Sequence, residues 1–420
     1  MKDAQQPAGW QVEDHCPQCG APCLMEETDR LFACPYCRTR LYLAVPDFFE
    51  YCLPARHDPP QGEVLQVPYW RFRGITFSLG PQGVRCGVVD TSLAALHHAF
   101  LRPSLGLKPQ VFRLRFARPA AGVRFLRSDF SLEDALQRVQ GQQDLVARIT
   151  ADGPVHEQAF VGETMSVIYL PHIIAGNSLF DLALNRPLPC DRAEELGKIL
   201  AHEQREVGKV TFLSALCPGC GWDLEAERDS AILMCRNCDS AWEPIGCAFH
   251  RRPFRIVPGA QGALHLPFWR LRASFEGVPL QSVAELRRFA NLPRTAKHGS
   301  EEQEIFWWIP AFKVRPDLFL RVAQRMTIFQ PEETLEDHLD GVRLHPVTLQ
   351  AAEAQEVLRF LIAQLGARQT SLPPGTGKIG IRTVDALLVF LPFAQTGSEV
   401  VHEKARLGIQ RNTLQFGRHL

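Results

Sequence analysis

Eight of the thirteen cysteines in this 420-residue chain fall into two sets of four with one spacing. Cys16 and Cys19 are followed, after fourteen residues, by Cys34 and Cys37, and Cys217 and Cys220 are followed, again after fourteen, by Cys235 and Cys238. The first pair of each set reads Cys-Pro-x-Cys-Gly, with Gly20 and Gly221 in the same place. Two residues between thiolates let both sulfurs reach one ion at about 2.3 Å, in a tight turn where a glycine takes positive φ. Fourteen residues suffice for two short strands and a turn that return the second pair, and Thr28-Asp29 and Arg228-Asp229-Ser230 are suitable turns. Modules this small do not fold by burial alone, and each ion contributes on the order of 10 kcal/mol. Four thiolates leave no open position for water or substrate, so the pattern predicts two structural zinc ions.

These cysteines resemble the zinc ribbon, the small four-cysteine module of transcription factors and many bacterial proteins. The resemblance covers about residues 14–43 and 215–245, and it implies a structural role with partners that range from nucleic acids to other proteins. Only the eight cysteines carry over, as metal ligands. A thioredoxin-like pair needs one CxxC in a βαβ context, and a rubredoxin-like iron site usually separates its pairs by more residues. Cys23, Cys52, Cys86, Cys190 and Cys247 are left over and read as small buried hydrophobes. The odd count and tight pairs read as reduced thiols in a cytoplasm. The first residues lack the apolar core of a secretory signal, and no run reaches the ~18 apolar residues of a spanning helix, so no membrane insertion is expected.

Likeness between the halves extends past the cysteines. Val67-Pro68-Tyr69-Trp70-Arg71-Phe72-Arg73 matches Leu266-Pro267-Phe268-Trp269-Arg270-Leu271-Arg272, and Ile168-Tyr169-Leu170-Pro171 matches Val389-Phe390-Leu391-Pro392. Between them, Ser92 through Pro103 is set against Ser282 through Pro293, and Arg118-Pro119 against Arg315-Pro316. The offset is 201 at the first cysteine, 199 at the tryptophan, 197 at Arg-Pro and 221 at the last match. The common order predicts an internal duplication, with about 24 extra residues in the second half. The expected fold is α+β: a zinc ribbon followed by a mainly antiparallel sheet unit with a few helices, repeated. The boundaries read as ribbon 10–45, unit 60–190, linking helix 191–210, ribbon 211–246 and unit 260–420, with the insertion within about 316–388.

Locally, Ser92 and Ser282 read as helix N-caps, Ser282 with Glu285 as a capping box. Further helices are expected over Ser131–Ile149, Asp191–Val207 and Thr348–Leu365. In the strands, Trp70 and Phe72 point one way and Arg71 and Arg73 the other, and Val111–Phe116 alternates likewise. Trp70 and Trp269 read as core anchors.

The charge balance of 46 basic against 46 acidic residues argues against nucleic-acid binding by gross positive charge. It conceals a basic stretch, since 102–127 holds seven Arg or Lys and no acid. With Arg71, Arg73, Arg113 and Arg115 on one face, this stretch suits a phosphate backbone; paired internally, it is structural. Catalytic motifs fail. Leu372-Pro373-Pro374-Gly375-Thr376-Gly377-Lys378-Ile379 lacks the first glycine and the Ser/Thr of a phosphate loop. His202-Glu203 is followed by Glu206 where a zinc-protease helix needs histidine, and adjacent His97 and His98 on a helix face about 100° apart. The reading is a non-catalytic zinc-binding adaptor or scaffold for protein partners; the alternative is a transcription-associated nucleic-acid-binding factor.

Overall fold

A computed structural model describes residues 10–56, 63–80, 83–106, 113–149, 157–175, 178–188, 193–292, 303–331, 335–366 and 380–416. Strand outweighs helix, and antiparallel pairing predominates. The first cysteine module holds β1 (Gln11–His15), β2 (Pro22–Glu26), β3 (Leu31–Ala33) and β4 (Arg40–Ala44). A large sheet follows, built from β5 (Phe49–Cys52), β6 (Val64–Gly80), β7 (Gly83–Ala94), β8 (Arg113–Phe116) and β9 (Val123–Phe125). Helix α1 (Leu132–Ile149) precedes its last strands, β10 (Glu157–Ala175), β11 (Ser178–Asp181) and β12 (Arg186–Pro187). Helix α2 (Ala193–Leu200) leads to the second cysteine module, with β13 (Thr211–Ser214), β14 (Leu233–Cys235), β15 (Ser240–Ile245) and β16 (Ala248–Arg252). The second sheet unit runs β17 (Phe254–Ile256), β18 (Leu264–Glu276), α3 (Val283–Phe289), β19 (Trp307–Pro310), α4 (Pro316–Phe329) and β20 (Arg343–Leu344). It ends with α5 (Ala351–Gly366), β21 (Gly380–Thr396), β22 (Glu399–His402), β23 (Leu407–Gln410) and α6 (Arg411–Phe416).

The spine is the antiparallel ladder of β6 on β10, which pairs Leu79 with Glu157 at one end and Leu65 with His172 at the other. Alternation along β6 sorts its side chains. Trp70 and Phe72 enter a core under α1 with Val139, Phe125 and Tyr169. On the opposite face, Leu65, Val67 and Tyr69 enter a core shared with the first cysteine module. Further along that same face, Ile75, Phe77 and Leu79 enter the core of the second unit, where Phe77 meets Phe319 of α4 and Phe360 of α5. Arg71 and Arg73 lie between these two apolar stretches. They are 3% and 1% exposed.

Of the two readings open for Arg71 and Arg73, the geometry shows internal pairing. Burying a guanidinium demands a paired anion, because an unpaired charge in a low-dielectric interior is costly. Glu27, from the turn after β2, takes Arg71 through two bonds, Nη2 to Oε1 at 2.9 Å and Nε to Oε2 at 3.3 Å. Asp90 takes the remaining Arg71 nitrogen, and Arg73 Nε lies 2.9 Å from Glu163 Oε2. Glu163 is available there because a bulge between Gly162 and Thr164 lifts it out of the ladder. Opposite the bulge, a Cβ at Gly74 would collide with the Val161 carbonyl, which is why glycine stands there.

Other expectations fare variously. Ser282 caps α3 with the reciprocal Glu285 bonds. Ser92 caps no helix; it lies within β7, opposite Arg71, because the β6–β7 hairpin continues through it. Helix α2 stops at Leu200 rather than Val207, and the chain beyond turns extended, with Gln204 bridging Leu126. Helix α5 matches its expected span within a few residues. Helix α4 was not anticipated: Pro316 opens it, and Leu318, Phe319, Val322, Ala323 and Met326 form its buried stripe. Trp70 and Trp269 are core anchors, with Trp269 Nε1 donating to Leu349 O at 2.9 Å. Phe112, Cys190, Asp191, Pro293 and the 372–379 loop lie outside the described residues.

Replacing Glu27 by alanine leaves two buried guanidiniums short of an anion and is expected to cost about 3–5 kcal/mol. Glu13→Ala, which removes half-exposed pairs with Arg113 and Arg115, is expected to cost no more than about 1 kcal/mol. Urea midpoints of the two variants check this, and equal shifts would contradict the buried belt.

Candidate metal centres

Each cysteine set occupies the tips of two adjacent turns. In the first module, Cys16 N donates to Ala21 O and Gly20 N to Cys16 O, both at 2.8 Å, with Gly20 at φ 73°. The opposing turn repeats the arrangement: Cys34 N donates to Thr39 O and Arg38 N to Cys34 O, both at 3.0 Å, with Arg38 at φ 62°. In the second module Cys217 N donates to Trp222 O at 2.7 Å and Gly221 N to Cys217 O at 2.8 Å, with Gly221 at φ 75° and Asp239 at φ 47°. The left-handed residue after each pair turns the chain so that both sulfurs face inward.

The sulfurs converge as four-ligand sets. Sγ–Sγ distances are 3.7 Å for Cys16–Cys37, 3.6 Å for Cys19–Cys34, 3.6 Å for Cys217–Cys238 and 3.5 Å for Cys220–Cys235. All four ligand atoms of each set lie within 4.8 Å of one another. A disulfide needs about 2.05 Å, whereas a tetrahedral ion with 2.3 Å bonds spaces its sulfurs by about 3.8 Å. Both sets therefore fit a metal ion, and the donor type fits zinc.

The surroundings split each set: the Ala21 N–H pulls the Cys19 thiol down, but burial and the neighbouring sulfurs outweigh that and hold the thiol up at about 12, and burial likewise pushes Cys235 up to about 12. The Thr39 hydroxyl and backbone N–H draw the Cys37 thiol down to about 6. At Cys217, burial opposes ionisation, but the N–H groups of Gly219 and Cys220 and the Ser240 hydroxyl outweigh it and bring the thiol to about 6. The leftover cysteines differ. Burial pushes Cys23 up to about 11 and Cys52 and Cys86 up to about 12, which makes them unreactive. Cys247 is exposed, contrary to its reading as a buried hydrophobe.

The two modules are not separate beads. Strand β13 of the second pairs antiparallel with β4 of the first, from Thr211 opposite Ala44 to Ser214 opposite Leu41. Arg40 donates to the carbonyls of Leu224 and Ala226, and the N–H groups of Arg30 and Leu31 share the Arg228 carbonyl. Leu31 and Tyr42 pack in one cluster with Cys217, Leu224, Leu233 and Cys235. Spacing gave no sign of this, because edge pairing between distant strands leaves no local pattern.

Five arginines of the basic stretch are engaged as well. Arg113 and Arg115 lie 3.6 and 3.5 Å from Glu13, and Arg118 lies 2.7 Å from Asp14. Arg127 reaches Glu203 at 2.6 Å, and Arg124 donates to the Leu200 carbonyl at 2.8 Å. The metal turns hold two aromatics outward among their exposed residues: Tyr36 and Trp222 are 66% and 62% exposed. Among the described residues no helix is long and apolar enough to cross a membrane. No family model, curated protein or solved structure matches the chain.

Elemental analysis of protein purified without added metal is expected to give two zinc per chain. Changing both Cys217 and Cys220 to serine should leave one equivalent. Because the modules share a sheet, that ion should be stripped by chelator at least ~10-fold faster; an unchanged rate would show no coupling between them. Metal binding requires each cysteine to lose its proton, so it depends on pH. As pH falls, protons displace metal, and a chromophoric zinc reporter should record release below about pH 5.

Proposed function

We propose that the chain is a non-catalytic zinc-binding adaptor that presents the outer faces of two docked ribbons to a protein partner. The observation that carries this reading is the contrast between its cations and its aromatics. Of the four arginines suited to a phosphate backbone, Arg71 and Arg73 are buried and Arg113 and Arg115 share Glu13. Tyr36 and Trp222 stand exposed on rigid metal turns, the side-chain type that carries most energy at protein interfaces. A four-thiolate site has no open position for chemistry, which supports a structural role for both ions. None of the described cysteines is in a disulfide, which suits a reducing compartment such as the cytoplasm.

Strand registers support an origin by duplication. Trp70 faces Val167 across its ladder as Trp269 faces Leu388, and the Pro68 and Pro267 carbonyls accept from Ala95 and Ala311. Short parallel strands β9 and β20 begin beside Val64 and Leu264, and β5 and β17 run parallel to β10 and β21. Aligned this way, most of the extra residues of the second half fall between Glu276 and Trp307, around α3, rather than within 316–388. The Ser92–Ser282 match is then coincidental.

Fluorescence anisotropy with labelled duplex and single-stranded DNA tests the reading against its nucleic-acid alternative. Binding weaker than about 100 µM at physiological salt is expected. Micromolar binding that falls steeply with salt and is lost on changing Arg113 and Arg115 to alanine would overturn the adaptor reading.

A further inference from the structure

Two histidines that sequence spacing sets aside meet in space. His98 and His202 are 104 positions apart, yet their Nε2 atoms lie 2.9 Å from each other with ring planes at 81°. Backbone hydrogen bonds build the encounter. Beyond α2 the chain lies antiparallel to the end of β9: Arg127 N donates to Glu203 O and Arg205 N to Phe125 O, both at 2.8 Å, around the Leu126–Gln204 bridge. On the other side Leu101 N donates to His98 O at 3.0 Å, and Asp129 N to Ala95 O at 2.9 Å. Neither histidine lies on a helix, so the angular argument against His98 does not apply.

The neighbours fix the protons. Arginine only donates, so His97 Nε2, 2.8 Å from Arg138 Nη2, accepts, and its proton sits on Nδ1 beside Asp129 Oδ2 at 3.2 Å. The His97 backbone N–H donates to the same Oδ2 at 2.6 Å. That leaves Asp129 Oδ1 facing His202 Nδ1 at 3.6 Å, which favours the tautomer protonated there and directs the His202 Nε2 lone pair at His98. Carboxylates behind metal-bound histidines act in this way. The lone pair on His202 Nε2 calls for a proton on the nitrogen facing it, His98 Nε2. The two imidazoles then share one Nε2 proton.

The ring centroids are 5.1 Å apart, so the two Nε2 atoms meet nearly head-on, and a rotation of each ring brings both lone pairs onto one ion, whose metal–nitrogen bonds of about 2.0–2.1 Å at angles of about 90–110° place cis nitrogens about 2.9–3.4 Å apart. We propose that His98 and His202, oriented by Asp129, form a third metal site, which takes an exchangeable divalent ion of the Zn2+, Ni2+ and Cu2+ class. On binding, the shared proton moves to His98 Nδ1, both Nε2 lone pairs go to the ion, and water fills the other positions. Two protein ligands make the site much weaker than the four-thiolate centres. Its effect is to clamp the segment after α2 to the first sheet unit, the segment that leads to the second cysteine module.

The test uses the full chain loaded with two zinc and freed of excess, titrated calorimetrically with Ni2+ alone at pH 7.5. One further equivalent should bind with micromolar affinity, and His98→Gln and His202→Gln should each weaken it at least ~10-fold while zinc stays at two. On the unaltered chain, Ni2+ should broaden the ring resonances of His98 and His202 before those of exposed His250 and His338. Failure to bind Ni2+ below millimolar concentration, binding that survives both substitutions, or broadening that begins at other histidines would each overturn the site.

Discussion

The structure depends on the ion-pair belt where β6 crosses from one core to the next. A strand of seventeen residues with an apolar face throughout would place no limit on how the two units slide past each other. Arg71 and Arg73 interrupt that face, and Glu27, Asp90 and Glu163 supply the anions that pair with them there. Each acid comes from a different element, so the belt ties the first cysteine module, β7 and the β10 bulge to one point. Arg30 and Lys313 add to it through the backbone: they donate to the carbonyls of Glu163 and Gly162, respectively. Buried pairs of this kind add little net stability over an apolar core, but a wrong arrangement strands a charge. The belt therefore fixes how the first cysteine module, β7 and the β10 bulge meet on β6, and Lys313 joins the second unit to that point.

That constraint explains why the metal modules form a pair. The first is pinned through Glu27 to the sheet, and its β4 edge is covered by β13 of the second. The second is pinned in turn to its own unit, with Ala231 N donating to Val347 O and Arg236 donating to Leu339 O. Covering edges in this way removes the exposed backbone that would otherwise template aggregation. What is left outward at the metal turns is a rigid surface bearing Tyr36 and Trp222. A surface held from behind by metal and sheet loses little entropy when a partner docks.

The two metal sites were legible because ligand spacing is local, and all eight predicted cysteines come together. The core tryptophans, the Ser282 capping box and helix α5 were legible for the same reason. For Arg71 and Arg73 the choice between a basic face and internal pairing stayed open, because alternation reports which side chains oppose the aromatics, not whether that second face is wet. Their partner Glu27 lies 44 residues away, beyond any local pattern. Ser92 carried a sound capping signal that strand pairing overrode. His98 was set aside on a helical geometry that the chain does not adopt there, and His202 because Glu206 stands where a motif needs histidine, neither of which bears on two residues 104 positions apart. Helix α4 could have been found from its apolar stripe and the proline at its start.

The central claim is that the chain unfolds as one body, because Ile75, Phe77 and Leu79 of β6 complete a core closed by α4 and α5. Hydrogen exchange measured across a urea series tests it most directly. The amides of Leu65–Phe72, Leu266–Leu271 and Val357–Ile362 should lose protection at one urea concentration. Persistence of protection in Leu266–Leu271 and Val357–Ile362 after Leu65–Phe72 has exchanged would contradict the claim and make the two units independent domains.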